Sequence, residues 1–257
     1  MSTLEALILG VVQGLTEFLP VSSSAHLVMG EELLGANEPG IAFDVLVHGA
    51  TLLAVLVYFR RRILQLVLER SWAYAGKIVV GTIPAGIVGL ALEAAIERTF
   101  AAPALIVFTL FVTGALLLSL KALPEERVEV VEPSWWQAWW IGCAQMVAIL
   151  PGISRSGSTI VAGRWLGMAP AAAAEFSFLL GVPAVAGAIV LQAGEMRTAT
   201  QSGQGLAYAV GWLAALVAGV VAIMLVFRLL ARRAFPLFGW YCWAAAVAFG
   251  AWLWFRG

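Results

Sequence analysis

Gln13 and Glu17 stand four residues apart, which places both on one face of a helix. Two oxygen-bearing side chains on one face suit a hard divalent cation such as Mg²⁺. That ion usually keeps waters and takes one or two carboxylates plus substrate phosphate. A plain hydrogen bond between two helices would use the same pair. Ser22, Ser23, Ser24, Ala25 and His26 follow at once. Hydroxyls and an imidazole a few residues from a carboxylate are the parts of a nucleophile and its base. A serine-rich helix cap with an interfacial histidine would look the same.

The most specific stretch runs from Pro151 through Gly152, Ile153, Ser154, Arg155, Ser156, Gly157 and Ser158 to Thr159. It offers four hydroxyls, one guanidinium and flexible backbone ahead of a helix N-terminus. Exposed N–H groups, the helix dipole and an arginine together make an anion site, best suited to phosphate. The competing reading is a structural Arg155–Glu17 pair that ties two segments together. Asp44 and His48 are also four apart, and are read as support for a cavity mouth rather than as chemistry. Glu175 is expected to brace the segment after Pro151, and Arg164 to bind lipid phosphate or Glu175.

These residues stand out because the rest of the chain is so apolar. Of 257 residues, 62% are hydrophobic and 12% charged. A soluble domain averages about half apolar and about a quarter charged. The composition excludes disorder, nucleic-acid binding and an ordinary cytosolic enzyme. Lys plus Arg is 15 and Asp plus Glu is 15, so no net field attracts a phosphate backbone. A polytopic membrane protein remains. Cys143 and Cys242 sit in apolar runs, with no disulfide or CxxC pattern. Met1 to Glu5 lacks the basic residues that open a signal peptide. Trp135, Trp136, Trp139 and Trp140, with Trp252 and Trp254, read as interfacial anchors.

Six apolar runs approach the roughly 20 residues of a spanning helix, near 43–60, 77–96, 103–120, 170–193, 206–227 and 236–255. Two others are short: Ala6 to Leu19, and Trp139 to Leu150. Each ends at a proline, Pro20 or Pro151, followed by serines, and so reads as a re-entrant segment. A broken helix at membrane depth is tolerated only where protein buries it or where it lines a wet cavity. The two short runs also match. Gly10 and Gly142 are 132 apart, as are Gln13 and Gln145. Pro20 and Pro151 are 131 apart; Phe43 and Phe176, and Pro103 and Pro236, are 133 apart. The chain therefore reads as one membrane domain, 1–257, made of two repeats. The first covers 1–120, with a re-entrant hairpin at 1–30 and three spans. A linker at 121–134 leads to the second at 135–257, with its hairpin at 135–167 and three spans. Three spans per half make the second repeat inverted, and the two hairpin tips should meet near the midplane.

Lys and Arg placement gives the orientation. Ten lie in connections 60–77, 121–134 and 228–235, against Arg98, Arg197 and Arg256 on the other side. The bias puts the first group in the cytoplasm and both termini outside. Glu31, Glu32 and Glu38 then form a solvated outer loop, and Glu125, Glu126, Glu129 and Glu132 a solvated linker.

The stretch Gln13-Gly-Leu-Thr-Glu17-Phe-Leu-Pro-Val-Ser22-Ser23-Ser24-Ala-His26 and the stretch Pro151-Gly-Ile-Ser154-Arg155-Ser156-Gly-Ser-Thr159 resemble the two signatures of the bacterial undecaprenyl-diphosphate phosphatase family, the bacitracin-resistance type. The resemblance covers essentially the whole chain. It implies an all-α integral membrane hydrolase in the bacterial plasma (inner) membrane, and the charge bias puts the opening of its active site on the outer side. Such an enzyme removes the terminal phosphate of the C55 isoprenyl diphosphate carrier so that it can be reused for cell-wall synthesis. It implies a divalent cation, Mg²⁺ or Ca²⁺, a polyprenyl diphosphate lipid as partner and no nucleic acid, and it is compatible with a homodimer. Carried over by motif, Gln13 and Glu17 would be the metal-side pair, with Gln13 the less acidic choice at its position. Ser22, Ser23 and His26 would be the nucleophile and acid–base group, and Ser154, Arg155, Ser156 and Thr159 would hold the diphosphate. Ala25 departs from the family's usual glycine before the histidine.

A lipid flippase or transporter is the chief rival, because inverted repeats with broken helices also build transporters. A protein that is both enzyme and flippase stays open. An ion channel fits less well, since filters need rings of ligands and this polar set is lopsided.

Overall fold

A computed structural model describes residues 1–34, 41–92, 95–96, 99, 102–124, 129–192 and 204–256. Arg98, Arg127, Arg197, Glu38, Glu125 and Glu126, and the side chain of Glu31, lie outside what is described.

The described residues form an all-α integral membrane protein. The helices are α1 (Thr3–Phe18), α2 (Ser23–Leu34), α3 (Ile41–Tyr58), α4 (Arg60–Leu68), α5 (Trp72–Ala91), α6 (Pro103–Ser119), α7 (Trp135–Val147), α8 (Arg155–Trp165), α9 (Pro170–Leu191), α10 (Gly205–Ala231) and α11 (Leu237–Arg256). Five of them are long and apolar enough to cross a membrane: α5, α6 (with the turn that follows), α9, α10 and α11. A sixth span is available if α3 and α4 count together across a 62° bend. That bend departs from the expected run over 43–60. Arg60, Arg61 and Arg62 open α4 beyond the bend, and α4 buries none of its residues. The second run also shifts, with α5 starting at Trp72 and ending at Ala91.

The two short apolar runs form α1 and α7, which begin alike. Ser2 and Glu5 cap α1 reciprocally, and Ser134 and Gln137 cap α7 in the same way. Both pairs are 132 residues apart, in register with Gln13 and Gln145. Each helix then packs on a long helix of the other half. Gly10 of α1 lies directly on the backbone of Gly211 in α10, and Gly14 lies against Ala215, Ala218 and Gly219. Gly142 of α7 lies on the backbone of Gly81 in α5. Small residues at one-turn spacing allow backbones to approach this closely in lipid, where burial between helices gains little. A side chain at Gly10 would have to push two helix backbones apart.

The breaks are held by α6 and α11. Thr109 and Thr113, one turn apart on α6, donate their hydroxyls to the carbonyls of Pro151 (2.7 Å) and Gly152 (2.8 Å). Ser154 N–H donates back to Thr113 Oγ1 at 3.1 Å. Gly152 has φ +88°, and a Cβ there would collide with Thr109. On the other break, Cys242 of α11 lies 3.6 Å from the carbonyl of Pro20. The two breaks touch each other as well. Gly152 N–H donates to Ser24 Oγ at 3.4 Å, and Ser156 Oγ donates to the carbonyl of Leu19 at 3.3 Å. Beneath them, Phe18 and Phe178 meet edge to face at 5.4 Å, continuing through Phe59 and Phe227 into the apolar core.

The linker corrects three expectations. Glu129 and Glu132 are paired, not simply solvated: Glu129 with Arg164 at 2.6 Å, Glu132 with Lys77 at 3.5 Å and Arg62 at 3.8 Å. Arg164 therefore takes a linker carboxylate rather than Glu175. Glu175 pairs with Arg62 of α4 at 2.8 Å instead of bracing the second break. Long side chains from separate elements converge here because Val130 pairs with Met168, seating the linker on the α8–α9 turn.

Candidate active site

α1 delivers Gln13 and Glu17 on one face to the level of the breaks, where both are buried. Gln13 Nε2 donates to Glu17 Oε2 at 3.0 Å. The same oxygen accepts the hydroxyl of Ser23 at 2.7 Å and lies 3.8 Å from His48 Nε2. The other oxygen, Oε1, accepts Arg155 Nη2 at 2.6 Å. One carboxylate thus gathers α1, α2, α3 and α8. A buried carboxylate without partners would cost several kcal/mol in this setting. The convergence explains how a buried Glu17 is tolerated in a largely apolar helix.

The chain folds this way because neither break can continue its helix. Pro20 lies two residues past the end of α1 and Pro151 four past the end of α7, and Ser22 adopts φ +70°. Ser23 then opens α2, which aims its hydroxyl back at Glu17. Ser154 caps α8, its hydroxyl accepting Gly157 N–H at 3.1 Å, which presents Arg155 as the first helical residue. The guanidinium lies against Gly181 of α9, where a Cβ would fall on Nη1. Gly181 makes the room that Arg155 needs.

Polar satisfaction is incomplete here. Arg155 Nη1, Gln13 Oε1 and Asp44 Oδ1 are buried with no hydrogen-bond partner. A narrow cavity beside the pair is lined by Glu17, Arg155, Thr51 and Gly181 together with the apolar Val55 and Phe178. Unpaired donors and acceptors are rare inside native proteins. An N–H of Arg155 and an amide oxygen of Gln13 are thus an unsatisfied donor and an unsatisfied acceptor beside one carboxylate.

The expected anion-binding hydroxyls are largely engaged elsewhere. Ser154 and Ser156 lie 3.3 Å apart and serve the cap and the Leu19 carbonyl. Thr159 Oγ1 donates to the carbonyl of Arg155 and meets Ser177 Oγ at 2.5 Å. Ser22 Oγ faces Ser24 Oγ at 3.2 Å. His26 sits one turn into α2, with its two ring nitrogens on the Ser22 carbonyl and on Tyr241 Oη, each at 2.8 Å. Gln13, Glu17, Ser23 and Arg155 are therefore brought together, and His26 is turned toward α11. The structure adds His48, Tyr241, Gly181, Thr109 and Thr113. Of these, only His48, paired with Asp44 by spacing, left a signal in the sequence.

Among the described residues no group of three or more His, Cys, Asp or Glu is set to hold a metal. The donors on offer are the Glu17 carboxylate and the unpartnered Gln13 Oε1. They fit a Mg²⁺-type cation that brings the rest of its ligands as water and substrate phosphate.

Comparison with known proteins agrees with this picture. Residues 6–248 match the family model described as bacitracin resistance protein BacA. A Geobacter metallireducens protein named undecaprenyl-diphosphatase is 41% identical, covering 94% of this chain and 94% of its own. A Desulfosudis oleivorans protein of the same name is 40% identical, covering 94% of this chain and 95% of its own. A Methanobrevibacter smithii protein, again of that name, is 38% identical, covering 96% of each.

Proposed function

Given that the chain belongs to the bacitracin resistance protein BacA family, we propose that it hydrolyses undecaprenyl diphosphate to undecaprenyl phosphate and inorganic phosphate, with Glu17, Ser23 and Arg155 as the reacting centre. The observation that carries the assignment is the Glu17–Arg155 pair, buried where two broken helices meet, with one arginine N–H left open.

Phosphoryl transfer needs positioning and charge stabilisation more than covalent chemistry. Arg155 Nη2 stays on Glu17 while Nη1 takes a phosphoryl oxygen, a fork that only arginine supplies. Ser23 Oγ attacks the terminal phosphorus. The Oγ–P bond forms, the bridging P–O bond breaks, and the proton passes to Glu17 Oε2, already 2.7 Å from the hydroxyl. Undecaprenyl phosphate leaves. Water then attacks the phosphoserine phosphorus and its protons leave with the released phosphate, while the proton held on Glu17 returns to Ser23 Oγ as the Oγ–P bond breaks. A divalent cation held by Glu17 and Gln13 together with the substrate would neutralise phosphate charge.

The same reading makes the protein a multi-pass protein of the bacterial plasma membrane. Both termini face outside, and the two halves form inverted repeats. The matched caps at Ser2 and Ser134, and the exchange of α1 onto α10 and α7 onto α5, support the repeats. The Lys and Arg bias supports the orientation.

The test is phosphate release from undecaprenyl diphosphate by the purified protein in detergent, with and without chelator, beside Glu17→Gln and Arg155→Ala. Cation-dependent release that both variants lose is expected. A folded wild type that releases none would overturn the assignment and favour lipid transport by the same fold.

A further inference from the structure

Ser22 has φ +70°, a left-handed conformation that a residue with a Cβ keeps only where its surroundings impose it. Its carbonyl points to His26. That oxygen accepts two donors from one residue, His26 N–H at 3.2 Å and His26 Nδ1 at 2.8 Å. A carbonyl only accepts, so Nδ1 carries the proton. In the neutral ring Nε2 is then the lone-pair nitrogen. It faces Tyr241 Oη at 2.8 Å, and the two rings stack at 5.7 Å and 10°. Both nitrogens are occupied, and neither bonds to Ser23 or Glu17. His48 uses the same attachment, Nδ1 on the carbonyl of Asp44 at 2.7 Å, but turns its Nε2 to Glu17. Two histidines with one local geometry thus face different ways, and the one that follows the serines faces α11.

We propose that His26 is a positioning residue and Tyr241 its anchor. Together they clamp Ser22 in the left-handed conformation, which sets Ser23 as the first residue of α2 with its hydroxyl on Glu17. The chain of contacts is continuous: Tyr241 Oη donates to Nε2, Nδ1–H donates to the Ser22 carbonyl, and the next residue donates to the carboxylate. The inference rests on Ser23 and Glu17 being the reacting pair. It assigns His26 no proton transfer.

Asparagine separates the two roles, because its amide N–H can replace Nδ1–H on the Ser22 carbonyl but cannot act as acid or base. For phosphate release, His26→Asn should retain kcat within about tenfold of wild type, while His26→Ala falls by about a hundredfold or more. Tyr241→Phe should lower kcat several-fold with little change in KM. A folded His26→Asn as inactive as His26→Ala would overturn the proposal. A second readout needs no turnover. The chain has two histidines, so ¹⁵N-histidine spectra can be assigned by difference against His26→Asn. The Nδ1–H tautomer is expected for His26, with its Nε2 signal moving in Tyr241→Phe. An Nε2–H tautomer would overturn the clamp. If wild type releases no phosphate, the hydrolase reading fails, and the tautomer still decides the clamp.

Discussion

Arg155 Nη2 and Glu17 Oε1 lie 2.6 Å apart, although 138 residues separate them in the chain. Each is the polar residue that a broken helix delivers, and each leaves the pair with capacity to spare. Glu17 keeps an oxygen for Ser23, and Arg155 keeps an unpaired N–H.

That spare N–H makes Arg155→Lys informative. Lysine keeps the charge, so Glu17 still has a partner and the fold should hold. It lacks the planar fork that reaches carboxylate and phosphoryl oxygen together. We expect kcat to fall by about 10²–10³-fold, the loss usual when one charge-stabilising donor is removed. Near wild-type release by a folded variant would contradict the shared-fork role.

Ser23→Ala should abolish release while leaving the melting temperature within a few degrees, since the half-buried hydroxyl contributes about one hydrogen bond. Ser22→Ala should cost far less activity, because Ser22 Oγ faces Ser24 and not Glu17. Equal losses in the two, measured on the same substrate, would mean that the serines act only as a cap.

Thr113→Val tests how the second break is held. The substitution keeps the shape but strips two buried hydrogen bonds, to the Gly152 carbonyl and from Ser154 N–H. Leaving those groups unpaired costs about 1–3 kcal/mol each. A lowered melting temperature should accompany a loss of kcat, through displacement of Arg155. Gly152→Ala should do the same more severely, because φ +88° and the Thr109 contact both oppose a Cβ. Unchanged thermal unfolding in both would show that α6 does not hold the break.

Gln13 with Glu17 was readable because helix neighbours four apart are a local pattern, and Pro20 and Pro151 marked the breaks because proline acts on its own turn. The Arg155–Glu17 pair and an anion site stood as competing readings of the same residues. The structure has the pair, and also leaves Nη1 open beside it. Thr109, Thr113 and Tyr241 left no trace, since their partners lie 42, 39 and 215 residues away and a lone threonine or tyrosine in a span has no pattern. The serines and threonine around Arg155 show the opposite case. Residue type announced hydroxyls, but only packing decides that Thr159 meets Ser177 and Ser154 caps α8. Likewise Glu132 read as a solvated charge until Lys77 and Arg62 were brought beside it.

The most direct measurement is a double-mutant comparison of kcat/KM for undecaprenyl diphosphate in wild type, Glu17→Gln, Arg155→Lys and the combined variant. If the pair acts as one unit, the combined variant should lose no more than about the worse of the two single variants. Losses that multiply would mean that Glu17 and Arg155 contribute independently, and that their contact is a structural tie rather than the centre of the reaction.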